Sequence, residues 1–170
     1  LHRESNGRKD RIDVLFFENE TRTHQLEVAA RLMTVARLLL KRAVRHDASK
    51  LQSGERDTFI RVTPRLKELD YGSDAYNAQL KDMKLALEHH YLENAHHPEH
   101  YSEAGVNGMN LVDVVEMFCD WCAAVKRHDS GDIQESIEHN EVRFGISPQL
   151  SQIFRNTVER FPAIEHGGER

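Results

Sequence analysis

The chain is predicted to be all-α, a helical bundle in a single domain. Apolar residues recur at three- and four-residue spacing over most of its length. Helix-starting residues stand in front of the apolar runs. No stretch alternates apolar and polar residues as a half-buried strand would.

The elements follow in chain order. Residues 1–13 are polar and charged and are expected to be flexible, ahead of a helical domain over 14–164 and a disordered tail over 165–170. Residues 20–45 carry Leu26, Ala29, Ala30, Leu32, Met33, Ala36, Leu39, Leu40 and Ala43 at helical spacing. Ser53-Gly54-Glu55 opens a second helix to about Leu69, bent or split by Pro64. Asp70 to Asp74 is a turn, where Ser73 or Asp74 can cap a third helix running to His90–Asn94. Asn94 to Asn107 reads as a loop. Asn107 or Asn110 then caps an apolar, central helix from Met109 to Val125. Gly131-Asp132 starts a short helix to about Asn140. Ser147-Pro148 starts the last one, which ends near Phe161-Pro162.

Bulk properties narrow the function classes. The 170 residues fit one domain. With 30% charged residues and a net charge of −5, the chain has no general electrostatic attraction for nucleic acid. A local basic pocket for a phosphorylated small molecule remains compatible with that balance. No apolar run approaches the roughly 20 residues that span a bilayer, and residues 1–13 lack the apolar core of a signal peptide. The start at Leu1 rather than Met points to processing or truncation. Cys119 and Cys122 read as two buried thiols on one helix rather than a metal or redox pair, which fits a cytoplasmic setting. Nothing in the sequence fixes an oligomeric state.

Histidines and acids carry the chemistry. His46-Asp47 is followed by Ala48-Ser49-Lys50, His24 lies upstream, and His89, His90, His96 and His97 crowd a nine-residue window. Asp120 sits in an apolar run between Cys119 and Trp121, where a carboxylate is costly unless paired or bound to metal. Imidazoles with carboxylates suit Zn, Fe, Mn, Ni or Co, and such an ion can ionise water near neutral pH. One or two divalent ions are therefore expected, Mg among the alternatives.

The His, His-Asp, Asp order resembles the HD-domain superfamily of metal-dependent phosphohydrolases. It implies an HD-domain-like bundle with His24, His46, Asp47 and Asp120 as ligands. The string His46 to Lys50 is similar to the His-Asp-x-x-Lys of that superfamily's cyclic-dinucleotide phosphodiesterases, which implies a phosphate contact for Lys50. Glu20 matches an extra metal position of that branch, and His89-His90 resembles its paired histidines. The branch's glycine-tyrosine-proline signature and its intermediate histidine are absent here. The two motifs His-Asp-x-Ser-Lys and His-His-x-x-x-x-Asn-x-His-His-Pro-Glu-His-Tyr are also similar to an uncharacterised family of bacterial and phage proteins.

Several residues keep alternatives open. His90 and His97 are chosen as further ligands, with His89 and His96 at the same spacing nearly as good. Asp113 and Glu116 share the Asp120 face and can be ligands or can orient a histidine. Asp47 would bridge if two ions bind. Glu55 reads as a capping acid. His100, His128, His139 and His166 read as peripheral, and His2 reads as part of an N-terminal remnant. His24 and His46 are 22 residues apart, about 33 Å in one straight helix, so sharing an ion requires a turn near Leu38 to Ala43.

The function expected from this is metal-assisted hydrolysis of a nucleotide or other small-molecule phosphate, with Asp47 and Lys50 at the reaction centre. A His-rich di-iron oxygenase resembling inositol oxygenase and a non-catalytic metal-stabilised binding protein are the alternatives.

Overall fold

The computed structural model describes residues 2–66, 68, 69, 73–127 and 131–161, with side chains from residue 11 onward. The fold is all-α. The helices are α1 (His2–Arg45), α2 (Arg56–Leu66), α3 (Asp74–Asp82), α4 (Lys84–Glu93), α5 (Leu111–Val125), α6 (Ile133–Phe144) and α7 (Pro148–Val158). Short 3-10 segments occupy Ala48–Leu51 and Pro98–Gly108. No strand occurs among the described residues, and none of their helices is long and apolar enough to cross a membrane.

The chain divides into two units, the helix up to Lys41 and the chain from Arg42 onward. The first unit is helix alone. Many of its apolar side chains are exposed, including Phe16, Phe17, Leu26 and Met33. The turn expected near Leu38 to Ala43 does not form, because α1 is uninterrupted there. Leu, Lys, Arg and Ala are strong helix formers, and no Gly or Pro lies between Gly7 and Gly54 to interrupt them.

In the second unit, α5, α6 and α7 enclose the core. Met117, Phe118, Trp121 and Cys122 of α5 pack with Ile133, Ile137, Ile146 and Phe154. Phe118 stacks on Phe154 at 4.9 Å between ring centroids, and Trp121 meets the same ring edge-on at 5.5 Å. Most expected caps form. Ser73 accepts from the Tyr76 N–H, Asn110 from Val112 and Asp113, Asp132 from Gln134, and Ser147 from Leu150.

Other boundaries differ from the sequence reading. The single helix expected after Ser73 is two, separated at Met83, whose side chain is buried. The expected loop after Asn94 contains short 3-10 turns, broken by non-helical backbone at Ser102 and Gly105. α2 stops at Leu66 and α7 at Val158, each short of its expected end. Cys119 is exposed and only Cys122 is buried, since Cys119 lies off the core-facing stripe of α5. The remainder of the turn at 70–72 and the tail after Phe161 lie outside the described residues, as do His128 and His166.

Candidate metal centre

The centre begins where α1 ends. His46 follows the last helical residue, and Asp47 takes a left-handed backbone conformation, φ 56° and ψ 15°. Asp tolerates this region better than most residues, and there it ends the helix and turns the chain into the 3-10 segment. The turn buries the side chain of Ser49 and places Lys50 Nζ on Asp47 Oδ2. Lys50 also lies 5.3 Å from the centre of the Phe59 ring.

Three histidines converge on Asp47. His90, His96 and His97 bring ring nitrogens that lie, with an Asp47 oxygen, all within 4.8 Å of one another. Asp47 Oδ1 is 3.2 Å from His90 Nε2 and 3.6 Å from His96 Nε2. His90 Nε2 and His97 Nε2 are 3.0 Å apart. Four atoms held at about 2.0–2.1 Å around one tetrahedral ion are separated by about 3.4 Å, so these spacings fit the donor set of a divalent metal. Asp47 Oδ1 and His96 Nε2 are buried without a hydrogen-bond partner, although such atoms are normally satisfied. A shared cation would satisfy both.

A second group overlaps the first. His46, His96 and Asp120 also bring ligand atoms within 4.8 Å of one another. His46 Nε2 is 3.5 Å from Asp120 Oδ1 and 3.6 Å from Asp47 Oδ2. The two oxygens of Asp47 therefore face different groups.

Carboxylates stand behind the imidazoles. Glu55, fully buried, places Oε2 2.9 Å from His90 Nδ1 and Oε1 2.8 Å from His89 Nδ1. Glu116 Oε1 lies 3.0 Å from His46 Nδ1 and 3.4 Å from His96 Nδ1. An Nδ1–H donated to a carboxylate leaves the Nε2 lone pair bare, which is how metal-binding histidines are usually oriented. Arg42 pairs with Glu116 and with Asp113. Asp113, fully buried, also accepts from the Tyr101 hydroxyl at 2.7 Å. Asn94 Nδ2 donates to Ser49 Oγ at 2.8 Å, beside His90 Nδ1.

The electrostatics follow the geometry. Without metal, His46 is raised to about 10, first by its contact with Asp120 and then by Glu116. Burial pushes the Asp47 carboxyl up, but His90 and Lys50 outweigh it and hold the group well below the ordinary range. Glu116 is lowered to about 2, its burial outweighed by His46 and His96. Burial lowers His97 to about 3, keeping it neutral with a lone pair available.

The expected residues sort clearly. His46, Asp47, His90, His96, His97 and Asp120 come together, so three of the four central histidines take part. His89 turns outward on Glu55 with its side chain 45% exposed. Glu116 lies behind two ligands, and Asp113 lies behind Arg42. Lys50 lies beside Asp47. His24 and Glu20 are exposed positions of the uninterrupted α1 and belong to neither group. The expectation that His24 shares an ion with His46 rested on a turn that the helix does not make. Glu55 is not a capping acid, since both its oxygens go to imidazoles. Its polar neighbourhood in sequence gave no sign of burial. Arg42 was equally silent, one of many arginines on a charged helix.

The centre borders a cleft of about 640 Å³ whose lining includes His96, His97 and Asp120 together with residues of α6. No curated protein and no solved structure matches the chain. The model of the family of unknown function DUF5662 matches residues 13–160, nearly the whole sequence, and the chain belongs to that family.

Proposed function

We propose that the chain is a metal-dependent phosphohydrolase of the HD-domain type, acting on a nucleotide or another phosphorylated small molecule. One observation carries the reading. Donors of both groups, His96, His97 and Asp120, line a cleft large enough for such a substrate. The His46-Asp47 pair and Asp120, which carry the resemblance to that superfamily, lie within this one constellation.

A bound divalent ion would supply positive charge to the phosphoryl group and acidify water. The chain's own residues do the rest. Asp47 presents one oxygen to each group of donors. Asp120, held ionised mainly by His46 against the opposing effect of burial, stands at the cleft. Lys50, fixed by Asp47, adds a cation to offset phosphate charge. Glu55 and Glu116 hold the imidazoles of His90, His46 and His96 in orientation.

The test is turnover by the purified chain with Mn, Co, Ni, Zn or Mg against nucleotides and phosphomonoesters. Phosphate release with at least one ion, lost on chelation, is expected. Absence of release with every ion overturns the reading. Oxygen consumption by the iron-loaded chain would replace it with the oxygenase alternative.

A further inference from the structure

Helix α1 carries an exposed apolar seam. Twelve of the twenty large apolar residues exposed among the described residues lie on this helix. Several of them follow a repeat. Ile12, Asn19, Leu26, Met33 and Leu40 stand seven residues apart. Leu15, Arg22, Ala29, Ala36 and Ala43 also stand seven apart, three residues further on. The two series alternate at spacings of three and four over residues 12–43, which is the heptad pattern of a coiled-coil seam. The large apolar members, Ile12, Leu15, Leu26, Met33 and Leu40, are each 54–72% exposed. Phe16, Leu32 and Val44 flank the seam and are exposed as well.

The charges on the same helix are segregated. Residues 13–27 hold Asp13, Glu18, Glu20 and Glu27 against one cation, Arg22, which pairs with Glu18 at 3.6 Å. Residues 28–42 hold Arg31, Arg37, Lys41 and Arg42 and no acid. A second copy laid parallel would set each stretch against its like. Laid antiparallel, it sets acid against base in both halves. The two stretches adjoin and are equal in length, so the centre of that pair falls between Glu27 and Val28. The seam independently fits this register. Centred there, it brings Ile12 opposite Ala43, Leu26 opposite Ala29 and Leu40 opposite Leu15 between copies. A large side chain facing an alanine interdigitates closely. Asn19 meets Ala36, and Arg22 can lay its aliphatic stem along Met33.

We infer that α1 is a dimerisation helix, and that a second copy of this chain covers its seam as an antiparallel coiled coil. The seam and its flanks take four positions of every seven. Over residues 12–43 that is about 18 residues per copy, close to the roughly 20–30 a side of a standard interface. A helix draws most of its stability from packing an apolar face, and the second copy supplies that packing. A partner carrying one sign of charge would be drawn to one half of α1 and repelled by the other. A reversed copy of α1 is attracted along both halves.

Sedimentation of the full chain at micromolar concentration tests this. The parent sediments at twice the chain mass. Leu26→Glu with Met33→Glu, both at exposed positions, yields the monomer. Trp121, the single tryptophan, keeps its buried emission in that variant and so reports an intact core. Glu18→Lys, Glu20→Lys and Glu27→Lys together raise the dimer dissociation constant about tenfold at low salt, as weak attractions become repulsions. Adding Arg31→Glu, Arg37→Glu and Lys41→Glu to those three restores it. Spin labels at Val14→Cys, with Cys119→Ser removing the exposed native thiol, lie about 40 Å apart along the pair, because 27 residues of helix separate them. A monomeric parent overturns the inference, as does a dimer that survives Leu26→Glu with Met33→Glu. Labels side by side, or a charge reversal that the second set of substitutions does not rescue, overturn the antiparallel pairing.

Discussion

Asp47 combines a backbone position that few residues accept with a carboxylate whose oxygens lie 3.2 Å from His90 Nε2 and 3.6 Å from His46 Nε2. Asp47→Asn keeps the left-handed turn, since Asn tolerates it equally well. It removes the charge that a cation needs at Oδ1 and Oδ2. Metal content measured by elemental analysis should fall to background, and phosphate release should vanish with it, while the far-ultraviolet spectrum stays helical. A variant that retains a full complement of metal rules out the centre as drawn. Glu55 differs in kind, because it touches imidazoles rather than any ion site. Glu55→Gln should weaken metal affinity about 10- to 100-fold, the usual cost of losing a carboxylate behind a metal-bound histidine. Competition with a chelator measures it. A stability change with unaltered affinity would make Glu55 a structural residue only. The local sequence marks His46 and Asp47 because the types are metal-seeking and adjacent. It is silent on Glu55, whose partners come from 34 and 35 residues away.

Helix α5 works as an element with two faces. Met117, Trp121 and Cys122 face the core, while Asp113, Glu116 and Asp120, at spacings of three and four, face the centre. The segment Pro98–Gly108 is tied to the start of α5 by the Tyr101 hydroxyl on Asp113. Gly108 permits the approach, since a Cβ there would come within 2.7 Å of the Tyr101 side chain. Tyr101→Phe should destabilise the fold by about 1–2 kcal/mol, the usual loss when a buried carboxylate gives up one hydrogen bond. Burial and the Asp113 contact raise the Tyr101 hydroxyl from 10.0 to about 12. A raised folded value means the bond is fully present below pH 10 and is lost as pH rises through about 12. Denaturant melts of parent and variant should therefore differ by a constant amount below that window and converge across it. A gap that stays constant to the top of the window would remove Tyr101 from this role. At this scale the caps were legible, because Ser73, Asn110 and Ser147 act on neighbours two or three residues away. The division at Met83 was not, because it depends on burial against other helices.

The second unit as a whole gathers its donors from the end of α1, from α4, from the segment after it and from α5. Binding an ion in the native state and not in the unfolded chain should make stability metal-dependent. Parent protein should melt several degrees lower with chelator than with Mn or Zn, and Asp47→Asn should melt at one temperature in both. An unchanged parent melting point together with unchanged metal content refutes the metal centre. The sequence by itself determined the helical class, most helix starts, and the residue types that can hold a divalent ion. These depend on spacing along the chain, on short-range capping and on intrinsic donor chemistry. Only the tertiary structure decided which histidines converge, that His89 faces outward while His96 faces inward, and that Glu55, Glu116 and Arg42 support them. Those choices depend on contacts across as many as 74 residues, and no local pattern encodes such a separation. The continuity of α1 lies between the two cases. The residues at the expected turn, Leu38 to Ala43, all favour helix, and that turn came from a resemblance rather than from the residues themselves.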